Sequence, residues 1–70
     1  MRFGVDLVRL NRAIDTSGLK AWWIADKVGL SDDGLRQRRS GYVQWKVEEL
    51  HRLCYLLEIK VEDVLFETED

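Results

Sequence analysis

Between Ser31 and Gly41 the chain reads SDDGLRQRRSG, two carboxylates followed within a few residues by an amide and three guanidinium groups. Arginine bonds a guanine edge bidentately, glutamine an adenine edge, and a carboxylate accepts from the amino group of cytosine, so these side-chain types suit the recognition of base pairs. The same arginines suit phosphates, whereas Asp32 and Asp33 repel them. The two acids also have a plainer account. Ser31 is a good helix N-cap, and acids in the first turn complement the helix dipole.

Other chemistries find little support. His51 and Cys54 stand three positions apart and provide no tetrahedral metal set. Ser, Thr and Cys occur without a second histidine, so no nucleophile, base and orienter come together. The glycines form no phosphate-binding loop. The expectation is a binding protein rather than an enzyme, with no cofactor and no metal.

A chain of 70 residues buries only ~60% of its unfolded surface, which leaves little room for an enclosed active site. With 46% hydrophobic and 34% charged residues it has the composition of a globular protein. A single cysteine cannot form an internal disulfide, and no signal peptide or spanning helix is recognisable, so the expected setting is cytoplasmic. The net charge of -2 is unlike that of a generic nucleic-acid binder. It is unevenly spread, however: residues 1–47 hold nine Lys/Arg against five Asp/Glu, and residues 48–70 two against eight. A basic N-terminal part can face phosphates while the acidic part faces solvent or a partner.

The elements that must position these groups are read as helices throughout, since no sustained alternation or hairpin signal is present. Leu7, Leu10 and Ile14 define a first helix of about a dozen residues, ended by DTSG. Ile24, Ala25 and Val28 define a short second helix, stopped by Gly29. The third runs from Ser31 to Ser40-Gly41 with Leu35 turned inward. The fourth carries the stripe Val47, Leu50, Leu53, Cys54 and Leu57, with Glu48 and Glu49 at its start and His51 as a partly buried structural residue. Val61, Val64 and Leu65 predict a fifth, short helix, and residues 67–70 a frayed acidic end. The whole is one domain.

In this register the chain resembles the Cro and phage-repressor type (Xre-like) of helix-turn-helix protein, from about Val5 to Phe66. The resemblance is carried by Ile24-Ala25, the turn Val28-Gly29-Leu30, Ser31, Leu35, Gly41 and the run VEELHRLCYLLEIKVEDVLFE. It implies an all-α, compact five-helix lambda-repressor-like domain with the helix-turn-helix in helices 2 and 3. The implied function is that of a phage or bacterial transcription regulator, a small repressor that binds a palindromic double-stranded operator as a homodimer.

Carried over by register, the base readers would be Asp32, Asp33, Arg36, Gln37 and Ser40, and the phosphate contacts Lys20, Arg38, Arg39 and Lys46. A solvated basic face is an alternative for the arginines. Val61, Val64, Leu65 and Phe66 are the candidate dimer surface. The chain departs from the family at Lys20-Ala21, where Thr-Gln is favoured, at Gly34 inside the reading helix, at Arg38, usually apolar or aromatic, and at the loop YVQW. Trp22, Trp23, Tyr42 and Trp45 form a possible protein interface instead, which keeps open a second class of function. In that class a helix-turn-helix module, such as an antitoxin, an inhibitor or an anti-repressor, docks on another protein.

Overall fold

Local capping chemistry fixes several of the helix ends. The structure, a computed structural model, describes residues 2–68. The first helix, α1 (Leu7–Thr16), starts at Asp6, whose carboxylate accepts from the Arg9 N–H at 3.1 Å, and its turns bury Leu10 and Ile14. The second, α2 (Ala21–Val28), buries Ile24, Ala25 and Val28 and ends at Gly29 with φ +88°. There the N–H groups of Gly29 and Leu30 both donate to the Ala25 carbonyl, at 2.9 and 2.8 Å, closing the turn. With φ in the left-handed region, Gly29 is the residue that makes the sharp exit possible.

One residue beyond Leu30, Ser31 opens α3 (Asp32–Ser40), its Oγ accepting from the Gly34 N–H at 3.0 Å. Leu35 is the only fully buried side chain of this helix, and Gly41, at φ +85°, ends it. The fourth helix, α4 (Val47–Leu57), buries Leu50, Leu53 and Cys54. Its Arg52 reaches the last turn of α2, Nη1 donating to the Val28 carbonyl at 3.4 Å. The core is thus one cluster in which α2 lies against both α3 and α4.

The described residues hold four α-helices rather than the expected five. Val61–Val64 is a single 3-10 turn, and the chain ends form a two-stranded antiparallel ribbon, β1 (Arg2–Val5) with β2 (Leu65–Thr68), in the register Val5 with Leu65 and Gly4 with Phe66. The ribbon is clasped to the helices by the Asp6 N–H, which donates to the Val64 carbonyl at 2.7 Å. The reason for the difference is physical. Val61, Val64 and Leu65 have helical spacing, but Leu65 is drawn into the ladder with Val5, which leaves Val61–Val64 only a single turn.

Three further expectations change. Glu67 belongs to β2 rather than to a frayed end, and residues 69–70 lie outside the described ones. Val47 is 71% exposed because it is the first residue of α4 and points away from the core. His51 is exposed and is no part of the packing. Among the described residues no helix is long and apolar enough to cross a membrane.

Candidate nucleic-acid interface

Because Leu35 alone is fully buried on α3, the opposite face of that helix is left to polar groups. Asp32, Asp33, Arg36, Gln37 and Ser40 are all exposed. Arg36 Nη1 lies 3.5 Å from Asp33 Oδ1, with both side chains about four-fifths exposed. Such a pair holds little energy and exchanges readily for other partners. The Ser40 hydroxyl is turned back to donate to the Gln37 carbonyl at 3.0 Å.

A shallow groove of about 340 Å³ runs beside this face, lined by Ala21 and Trp22 from α2 and by Asp32, Leu35, Arg36 and Arg39 from α3. Trp22 is 58% exposed there. The four aromatics do not form one patch. Trp23 is half-buried against the core with the Lys27 ammonium 5.4 Å from its ring centroid. Trp45 also packs on the core, lines a different groove with Leu7, Arg38 and Val43, and has a buried indole N–H without a hydrogen-bond partner among the described residues. Tyr42 is 83% exposed in the loop after α3.

The comparisons with known proteins leave this geometry to be read alone. No family, no curated protein and no solved structure matches the chain. What the site can do must therefore follow from its own side chains.

The expected phosphate contacts separate into two kinds. Lys20 and Lys46 are exposed, at the residues that precede α2 and α4. Arg38 does not face outward. Its Nε donates to Glu49 Oε1 at 2.8 Å and its Nη1 to the Gly34 carbonyl at 3.0 Å, and the two charged side chains are only 13% and 12% exposed. The reason is charge pairing: a carboxylate buried at the start of α4 draws the guanidinium inward, and Arg38 is withdrawn from the phosphate set. Arg39 is clamped to α1, with Nε donating to Asn11 Oδ1 at 2.9 Å and Nη2 to Asp15 Oδ1 at 2.8 Å. Asn11 answers by donating to the Arg39 carbonyl. Arg39 therefore seats α3 on α1 while still lining the groove.

The expected dimer surface is also divided. Val64 is 2% exposed and belongs to the core, and Val61 and Leu65 pack partly against it. Phe66, 47% exposed on β2, is the member left facing solvent, its ring lying across Gly4 of the neighbouring strand. A Cβ at Gly4 would stand 2.5 Å from Phe66 Cζ, so the glycine is what allows the ring to lie there.

Its place in the first turn of α4 marks Glu49 in the sequence only as a dipole-matching acid and does not identify its partner Arg38 across the α3–α4 junction. Burial pushes its carboxyl up, but the Arg38 hydrogen bond, the Lys46 backbone N–H donating at 3.0 Å, and the charges of Arg38 and Lys46 outweigh that and hold it below the ordinary 4.5. A carboxyl lowered in the folded chain binds its proton more readily unfolded, so its contribution is full above the ordinary value and is lost as pH falls through the lowered one. The thermal midpoint is accordingly expected to be flat from pH 7 to about 5 and to fall below that, and Glu49→Gln to make the acid limb shallower. An unchanged acid limb in that variant would remove Glu49 from the explanation. In the same helix, burial and the Asp63 charge push the Cys54 thiol up, which keeps it protonated and poorly nucleophilic. Among the described residues no group of three or more His, Cys, Asp or Glu side chains is placed to hold a metal ion.

Proposed function

We propose that this chain is a sequence-specific regulator of transcription that reads double-stranded DNA with α3. The finer fold in this proposal is lambda-repressor-like, with α2 and α3 as its helix-turn-helix and the ribbon in place of a fifth helix. The observation that carries it is the combination of a left-handed Gly29 turn, a buried Ala25 and a third helix that buries Leu35 while exposing Asp32, Asp33, Arg36 and Gln37. A helix so presented can enter a major groove with its N-terminal half against base edges.

The electrostatics suit specific rather than indiscriminate binding. The Asp33–Arg36 pair lies on the reading face, and of the expected phosphate set only Lys20 and Lys46 are exposed. Few phosphate contacts mean weak non-specific affinity with a shallow salt dependence. Aspartates on the reading face then penalise sequences that offer them no donor. In this role the protein works in the cytoplasm, as a binding protein and not an enzyme.

Pairing of two copies would present two reading helices about one helical turn, ~34 Å, apart on a palindromic operator. Of the four residues expected at the dimer surface, Phe66 is the exposed one. Phe66→Asp is expected to leave the fold intact and give a monomer in sedimentation; a dimer that persists would exclude this surface.

The test of the function is selection from random duplex DNA at low salt. A palindromic winning sequence is the expected result. The failure of any sequence to enrich, with the protein folded, would favour the second reading, a protein-docking module. That reading has one observation in its favour: Trp22 stands 58% exposed beside the same groove, on a chain of net charge -2. Trp22→Ala would then abolish partner capture.

A further inference from the structure

Three residues that look unrelated in the sequence are joined in the fold. Gly34 sits in the first turn of α3, the turn that presents Asp32 and Asp33, where a glycine loosens a helix relative to any residue with a side chain. Its N–H is tied to Ser31 Oγ at 3.0 Å, and its carbonyl accepts from Arg38 Nη1 at 3.0 Å. Arg38 in turn is held by Glu49, whose Oε1 also accepts from the Lys46 N–H.

The glycine leaves room for this arrangement. A Cβ at position 34 would lie 3.1 Å from Ser31 Oγ and 3.4 Å from Arg38 Nη1, tight against the cap and in contact with the guanidinium. The polar path therefore runs without a break from the N-cap of α3 to the N-cap of α4. Its central ion pair is largely withdrawn from water, with the side chains 13% and 12% exposed.

We infer that Glu49 is a positioning residue for the base-reading turn of α3, acting through Arg38 on the Gly34 carbonyl. The inference rests on the proposed DNA-reading role of α3. Glu49 touches no base and sits on another helix. Its work is to keep the guanidinium directed at the first turn, so that Asp32, Asp33 and Arg36 meet the groove in one geometry rather than several.

The deciding experiment compares amide hydrogen exchange, followed by NMR on the full chain without DNA, in wild type and in Arg38→Met/Glu49→Met. Replacing both charges by apolar groups of similar volume removes the tie without leaving a buried charge alone. Exchange at the Gly34, Leu35 and Arg36 amides is expected to quicken about tenfold or more, while Leu53 and Cys54 in α4 stay within about twofold. Equal quickening everywhere, or none in α3, would overturn the positioning role, since a merely stabilising pair acts on the whole fold.

Should the double variant fail to fold, Glu49→Gln and Glu49→Asp decide the matter. Glutamine keeps an oxygen for Arg38 and Lys46 and is expected to retain the α3 protection. Aspartate, one methylene short, is expected to lose it, and the reverse order would overturn the inference. On the selected duplex the variants that lose protection should lose about tenfold in the ratio of specific to non-specific affinity. If wild type selects no duplex, the DNA reading fails, while the exchange result still decides what Glu49 does to α3.

Discussion

Replacing Arg36 and Gln37 together with alanine is expected to lower affinity for the selected duplex by roughly 30- to 10⁴-fold at fixed salt. Each good bidentate base contact contributes about 1–3 kcal/mol of discrimination, and tenfold in affinity corresponds to about 1.4 kcal/mol. Both side chains are exposed and neither contributes to the core, so the thermal midpoint should hardly move. The loss should be much larger on the selected sequence than on any other. Removing Arg36 also strips Asp33 of its partner, so non-specific affinity falls as well, but by the smaller factor that one lost cation explains. Titration of the winning duplex and of a scrambled one, by fluorescence anisotropy, measures both. Equal losses on the two duplexes would mean that these residues only contact the backbone, and no loss on either would place the reading face elsewhere.

Much of the fold was legible because helices are local. Leu10 and Ile14, or Leu50, Leu53 and Cys54, repeat within a single element, and Gly29, Ser31 and Gly41 act within a few residues of where they stand. The ribbon was not legible for the opposite reason. Val5 meets Leu65 and Gly4 meets Phe66 across nearly the whole chain, and four-residue strands contain too few alternations to announce themselves. Val47 and His51 show a related limit: periodicity assigns a face, but Val47 begins its helix and His51 lies off the buried stripe.

The site divides along the same line. That Asp32, Asp33, Arg36 and Gln37 share an exposed face follows from the spacing around one inward Leu35. That Arg38 turns away from the surface depends on a carboxylate eleven residues later on another helix, which no local pattern encodes. Two signals pointed to it. An arginine occupies a place where the resembled family has an apolar residue, and an acid occupies the third position of a helix preceded by a lysine. Each is ordinary alone, and only the packing of α3 and α4 makes them one contact.

The same packing makes Leu35→Ala the substitution in α3 expected to cost the fold most. Leu35 is 2% exposed and is the only fully buried side chain that α3 owns. Truncating a buried leucine costs about 2–5 kcal/mol, from lost burial together with the cavity left behind. A domain of 70 residues has roughly 4–10 kcal/mol of total stability to lose. The midpoint in urea should therefore drop by about a fifth or more, and the remaining tethers of α3 are polar. These are the Arg38–Glu49 pair toward α4 and the Arg39 clamp toward Asn11 and Asp15 on α1. Hydrogen bonds fix direction but supply little net free energy once water can compete for them. The expected order of loss is thus α3 first and the α2–α4 pair later, visible as early exchange of the Leu35 to Arg39 amides while those of Leu53 and Cys54 remain protected. Loss of all these amides together would mean instead that α3 is integral to a single cooperative unit, and that its reading face cannot loosen without unfolding the domain.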